Sequence, residues 1–185
     1  MRILGVVCSP RIGGNTEVLV KEALEGAKGK GGNVNLLRLS GKQIKPCDHC
    51  GACYETGVCH IKDDMDKIYQ QLLEADGIIL GSPVYFWSVC AQAKLVMDRT
   101  YALRYPTKRL RDKVGGAIAI AGRRGQVATL TVMNNFFLGQ GMIPAGLGVD
   151  GRGSKKGDVK DDTRAMKEAK NLGERMVELL QTRSS

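Results

Sequence analysis

Four of the six cysteines fall in one short run, Cys47-Asp-His-Cys50-Gly-Ala-Cys53-Tyr-Glu-Thr-Gly-Val-Cys59, spaced C-x2-C-x2-C-x5-C. A packed core has no need of thiols at such short, regular intervals. Soft metal centres do, and iron–sulfur clusters above all are held by thiolates converging from a tight loop. Two other readings stay open. Four thiolates also suit zinc, although paired C-x2-C knuckles with a longer spacer are its usual form. The loop could also act as a metal-free redox thiol. His49 and His60 sit beside these cysteines and read as polar loop residues. Cys8 and Cys90 stand alone and read as small buried apolar groups.

A second constellation lies near the start of the chain. Ser9-Pro10-Arg11-Ile12-Gly13-Gly14-Asn15-Thr16 follows the apolar run of residues 2–8 and precedes a helical pattern over Glu17–Lys28, with Val18, Leu19, Ala23, Leu24 and Ala27 on one side. A polar, glycine-rich turn from a buried strand into a helix start is a place for a phosphate, because the first backbone N–H groups are unpaired. Ser9, Asn15 and Thr16 supply side-chain donors, Gly13 and Gly14 let the backbone approach closely, and Arg11 brings the compensating charge. The Lys-Ser/Thr ending of a Walker A loop is absent.

The elements that must position these residues alternate between strand and helix. Short apolar runs at 2–8, Val34–Leu39, Asp76–Gly81 and Lys113–Ala121 predict strands buried on both faces, with a last short strand around Met142–Ala145. Helices are expected from Asp63 or Asp64 (as N-cap) to about Glu74, over Ala91–Tyr101, from Val127 to about Leu138, and over Lys160–Gln181. Asp98 and Arg99 are expected to form an orienting ion pair. Gly146–Gly157 reads as a mobile surface loop; its G-x-G-x-x-G match opens no helix and is not a dinucleotide fingerprint. Ser82-Pro83-Val84-Tyr85-Phe86-Trp87-Ser88 and Gly122-Arg123-Arg124-Gly125-Gln126 are two further strand-end loops. In open α/β sheets ligands sit outside the carboxyl ends of the strands, so these loops should face the Ser9 loop. Tyr85, Phe86 and Trp87 could flank a planar ring. The pattern is an α/β doubly wound five-stranded parallel sheet, in the flavodoxin order 2-1-3-4-5, with the cysteine-rich loop inserted after strand 2. One domain is expected over 1–185, with the insertion at about 44–62.

Composition narrows the classes. The chain has 185 residues, 43% hydrophobic and 25% charged, which suits one folded domain. No apolar run approaches the ~20 residues of a membrane span. The N-terminal run passes into Cys8-Ser9-Pro10-Arg11 without a small-residue cleavage site, so no signal peptide and a cytoplasmic location are expected. The net charge of +9 suits anionic partners such as a phosphorylated cofactor or an acidic electron carrier. The basic residues are scattered and aromatics are only 5%, which argues against nucleic acid. There is no triad or paired-carboxylate constellation, so hydrolytic chemistry has no support and no catalytic side chain is assigned.

Taken together, the motifs resemble a known family. Ser9-Pro10-Arg11-x-Gly13-Gly14-Asn15-Thr16 is similar to the FMN-phosphate loop of the NAD(P)H-dependent FMN reductases, and Ser82-Pro83-Val84-Tyr85 to their second flavin loop. The compact cysteine run, with Asp63-Asp64-Met65 behind it, resembles the iron–sulfur flavoprotein branch. The resemblance implies non-covalent FMN, with its phosphate at Ser9, Arg11, Gly14, Asn15 and Thr16. Its ring would lie near Ser82, Pro83, Val84, Tyr85, Phe86 and Trp87, and near Gly122, Arg123, Arg124 and Gly125. It further implies a [4Fe–4S] cluster on Cys47, Cys50, Cys53 and Cys59. The implied assembly is a homodimer or homotetramer, with the cluster of one subunit close to the flavin of another. Ferredoxin or another electron carrier is an implied partner, NAD(P)H a possible substrate, and oxygen, peroxide or quinone possible acceptors. Two other functions stay open: a cluster-free NAD(P)H-dependent FMN or quinone reductase, and a non-enzymatic redox sensor or carrier. Cys8 stands where members of the family usually carry Gly or Ser.

Overall fold

A computed structural model describes residues 1–183. The central strands are β1 (Arg2–Val7), β2 (Asn33–Arg38), β3 (Gly77–Tyr85) and β5 (Val114–Ala121), with β6 (Ile143–Pro144) and β7 (Val149–Arg152) beyond them. The order is β2-β1-β3-β5-β6, all parallel, and β7 also pairs with β5. β4 (Ser88–Val89) is only the returning arm of a hairpin on the end of β3. With β4 set aside, this is the expected flavodoxin order, and its fifth position is split into β6 and β7.

Alternation along the strands builds two cores. Ile3 and Val7 of β1, Ile79 of β3 and Val114, Ile118 and Ile120 of β5 pack on one face with α1 (Asn15–Gly29) and α7 (Thr163–Thr182). Leu4 and Val6, Ile78 and Leu80, and Ala117 and Ala119 face the other way. There they meet α3 (Met65–Glu74), α4 (Ala91–Arg99) and α6 (Gln126–Gln140) through Met65, Ile68, Leu72, Ala93, Val96, Met133 and Phe137. Period-two strands with both faces apolar are what a parallel sheet covered by helices requires. The two helices of the first face cross closely, because Gly173 has no Cβ to strike the Ala23 carbonyl.

Two expectations need correction, and a third, the N-cap of α3, is met by Asp64. Gly146–Gly157 is not a free loop: it contains β7, and a short 3-10 turn follows at Asp158–Asp161. The strand escaped notice because its inward positions are Val149 and Gly151, and a Cβ on Gly151 would meet Leu19. Arg99 does not pair with Asp98. Neighbours in sequence leave a helix in different directions, so Asp98 binds Lys94 at 2.6 Å while Arg99 turns inward to Asp63, also at 2.6 Å. At the start of α3, Asp64 is the N-cap but its side chain makes no capping bond. Asp63, one residue earlier, accepts the Met65 N–H at 2.9 Å.

Candidate functional site

The carboxyl ends of β1, β3 and β5 meet at one open cleft of about 240 Å³. Ser9, Arg11, Gly14, Asn15 and Thr16 line it from the first loop, Pro83, Val84 and Tyr85 from the second, and Gly122 from the third. Ile120, Ala121, Gly153 and Ser154 complete the wall, and the sequence reading had assigned none of these four. Gly153 and Ser154 follow β7 just as the other loops follow their strands, so the missed strand concealed them.

The first loop is shaped for an anion. Gly14 caps α1 in an extended conformation and offers no side chain to the helix's first N–H groups. These remain directed at the cleft, where the helix dipole favours negative charge. Behind the loop lies Glu17, 2% exposed. Its carboxylate accepts the Gly13 N–H at 2.9 Å, Arg38 through Nε at 3.0 Å and Nη2 at 2.7 Å, and Lys21 Nζ at 2.8 Å. The Arg38 hydrogen bonds hold the Glu17 carboxyl well below the usual carboxylate range, outweighing its burial. Glu17 therefore ties the left-handed turn at Gly13 to the end of β2. Asn15 lines the cleft, but its amide is engaged: Nδ2 donates to the Lys155 carbonyl at 2.8 Å and Oδ1 accepts the Gly157 N–H at 2.8 Å. It fastens the loop after β7 over the site. Arg11 reaches the same loop, donating to the Ser154 carbonyl at 3.3 Å.

Six of the sequence-assigned residues lie off this cleft's wall. Ser82 is fully buried, and its Oγ accepts the Cys90 N–H at 3.0 Å, so it anchors the loop from below. Arg123, Arg124 and Gly125 line a neighbouring shallow surface with Trp87. Phe86 and Trp87 form the tip of the β3–β4 hairpin, where Val84 pairs with Val89 and Tyr85 with Ser88. Both tip residues have positive φ, 46° and 64°. A two-residue hairpin tip of this kind is usually Asn-Gly, and bulky side chains there are strained. Phe86 is nonetheless fully exposed. Gly125 packs beneath the hairpin at φ 101°, where a Cβ would stand 2.8 Å from Val84.

The cysteine-rich segment folds as a flap around the short helix α2 (Cys53–Thr56). All four of its cysteines line one small concavity, together with Tyr54, His60, Arg99 and Tyr101 among others. The flap is tied at its base. Asp63 accepts the Lys45 N–H at 2.9 Å, and Arg99 donates to the carbonyls of Lys45 at 2.8 Å and Ile61 at 3.2 Å. Arg109 holds the far turn through the Gly57 carbonyl at 2.6 Å. Burial pushes the Cys53 thiol up, and the charges of Cys59, Cys47 and Cys50 add to that shift. His60 pairs with Asp48 at 2.8 Å and Tyr54 with His49 at 3.2 Å, so both histidines have partners on the flap. Among the described residues, the group that brings three ligand atoms within 4.8 Å of one another is Asp48, Cys50 and His60. Cys8 and Cys90 are buried, and the Cys90 thiol lies 3.2 Å from the Cys8 carbonyl.

A doubly wound parallel sheet, with its strand-end loops gathered on an anion-ready cleft, defines a flavodoxin-like protein. Residues 1–149 match the NADPH-dependent FMN reductase family. An iron–sulfur flavoprotein of Methanocaldococcus jannaschii is 43% identical over 189 residues, covering 97% of each chain. Another, from Methanosarcina thermophila, is 35% identical over 183 residues, covering 98% of this chain and 96% of that one. A solved flavodoxin from the domain Archaea shares the fold, with a TM-score of 0.65 at 18% identity over 98% of this chain and 99% of its own. The chain belongs to the NADPH-dependent FMN reductase family, in its iron–sulfur flavoprotein branch. It is an FMN-dependent oxidoreductase. Among the described residues no helix is long and apolar enough to cross a membrane.

Proposed function

We propose that the chain is a single-domain FMN-dependent redox protein. In this reading Cys47, Cys50, Cys53 and Cys59 hold a [4Fe–4S] cluster, and the protein exchanges electrons with a carrier such as ferredoxin or a small acceptor such as oxygen, peroxide or quinone. The observation that carries this reading is the gathering of all four cysteines on one concavity whose flap is clamped at both ends. A zinc site built from the four cysteines fits less well. Zn–S bonds of about 2.3 Å place four tetrahedral sulfurs within about 4 Å of one another. The group within 4.8 Å here contains a single cysteine. A four-iron cluster seats its ligands further apart.

When bound, the cluster would supply one-electron transfer and FMN both one-electron exchange with it and two-electron exchange with a hydride donor or organic acceptor, while the protein contributes position and electrostatics. The first-turn N–H groups of α1 and the Ser9 and Thr16 hydroxyls receive the phosphate. Arg11 compensates its charge, and Glu17 fixes the turn that presents these donors. Pro83, Val84 and Tyr85 bound one side of the ring and Gly122 lets it approach the backbone. Phe86 and Trp87 on the strained hairpin extend past the cleft and suit contact with a second subunit, as do Arg123, Arg124 and Gly125 beside them. The cleft and the cysteine concavity share no lining residue. In this reading the protein is a cytoplasmic homodimer or homotetramer in which the cluster of one subunit serves the flavin of another; the separate linings and the exposed hairpin tip support it.

The test compares the wild type with Cys50→Ala. Each is supplied with NAD(P)H and, separately, with a reduced one-electron carrier, and flavin bleaching is followed. The reading expects carrier-driven reduction to fail in the variant. Full activity of Cys50→Ala with both donors would favour a cluster-free reductase.

A further inference from the structure

Arg99 is the largest fully buried side chain described, 1% exposed. A buried guanidinium needs a partner for every donor it can place, or it forfeits hydration without return. Four of its bonds are accounted for. Nη1 reaches the Lys45 carbonyl at 2.8 Å and Asp63 at 2.6 Å, and Nη2 reaches the Ile61 carbonyl at 3.2 Å and Asp63 at 3.3 Å. Nε has none: it is buried and meets no acceptor. The same side chain lines the concavity of the four cysteines.

An arginine side chain stays protonated in proteins, and Asp63 is the counter-ion of Arg99 at 2.6 Å. Cys59 and Arg99 line the same concavity. Tyr69, on α3, packs into the same corner and donates its hydroxyl to the Arg99 carbonyl at 2.8 Å. A fixed cation with a spare N–H, set in the wall of a thiol-lined concavity, is a donor that lacks its acceptor. Asp63 balances the charge of the guanidinium through its Nη atoms, and what remains unmatched is the Nε–H donor.

Building on the cluster reading above, we propose that Arg99 supplies a hydrogen bond from the protein interior to the cluster. Its Nε–H donates to a sulfur presented at the wall of the concavity, either the Cys59 thiolate or a cluster sulfide. Arg99 is then a tuning residue as well as a clamp. Hydrogen bonds to the sulfurs are among the terms that set the potential of such clusters, and they favour the more negative, reduced state. Removing the Nε–H disfavours reduction, by about tenfold in the equilibrium constant, or ~59 mV downward for a one-electron couple.

The decisive measurement leaves the protein unaltered. The wild type is produced with arginine labelled with 15N at Nε, purified without oxygen and reduced, and the cluster's electron spin is examined by pulsed EPR. A 15N hyperfine coupling is expected, lost in Arg99→Lys, which keeps the positive charge but has no Nε. The same variant should titrate at a lower midpoint potential, a readout that a purely structural clamp would leave unmoved. A reduced cluster with no 15N coupling in the labelled wild type overturns the proposal, whether or not the lysine variant folds. Protein that carries flavin but no iron or sulfide removes the cluster reading, and the proposal falls with it.

Discussion

Glu17→Gln removes one negative charge from beneath the phosphate loop and leaves the shape of the side chain nearly intact. The carboxylate is 2% exposed and serves the Gly13 N–H, both donors of Arg38 and the Lys21 amine. Stripping one member from a fully buried pair costs about 3–5 kcal/mol. Here the two cations are surface groups, with side chains 41% and 55% exposed. They can return to water, so roughly 2 kcal/mol is the expected loss. For a chain of this length that lowers Tm by about 4–8 °C. The glutamine amide also presents N–H to donors that need an acceptor, so the turn at Gly13 loosens and FMN affinity falls about tenfold, or ~1.4 kcal/mol. The pH dependence has a fixed sign. The pKa of Glu17 is depressed in the folded protein, so its contribution is complete above the unfolded value of about 4.3 and is lost as pH falls through the folded value. Wild type and variant should differ fully at neutral pH and converge on acidification below about pH 4. Thermal melts across pH, with FMN titrated by fluorescence quenching, measure both effects. A variant that keeps the wild-type Tm at neutral pH and the wild-type FMN affinity would refute this view of the loop.

Three other substitutions test other parts of the site. Phe86→Asn places a residue tolerant of left-handed backbone at a fully exposed position with φ 46°, and should stabilise the chain by about 1 kcal/mol in chemical denaturation; unchanged or reduced stability counts against a strained tip. Gly125→Ala adds a Cβ 2.8 Å from Val84 at φ 101°, and should destabilise by about 1–3 kcal/mol while weakening FMN binding, seen in parallel melts and flavin titrations. Cys50→Ala should lose iron and sulfide yet keep FMN at wild-type stoichiometry, since the two linings share no residue; equal loss of flavin would show that the sites depend on each other.

The strands and most of the cleft could be read in the sequence because both are local signals. β1, β3 and β5 are apolar on both faces, and a polar, glycine-bearing turn follows each of them. That combination has few outcomes other than a covered parallel sheet with a ligand at its carboxyl edge. β7 was illegible because half its inward face is a glycine, chosen so that Leu19 can approach, and glycine reads as loop. Gly153 and Ser154 were hidden with it. Glu17 looked like an ordinary first-turn acid of a helix, and its burial depends on Arg38, twenty-one positions away. Arg99 was misread for a similar reason. The adjacent Asp98 offered a partner in sequence, whereas the true partner, Asp63, is brought in only by the packing of α3 against α4. Short-range chemistry was visible, and partners chosen by tertiary packing were not.

The most direct test of the central claim is the content of anaerobically purified protein: FMN, iron and acid-labile sulfide per chain, with zinc determined on the same sample. A thiolate-held four-iron cluster beside a flavin predicts about one FMN with about four iron and four sulfide, and a flavin spectrum overlaid by broad iron–sulfur absorption. Flavin with no iron or sulfide, or with one zinc in their place, would contradict it.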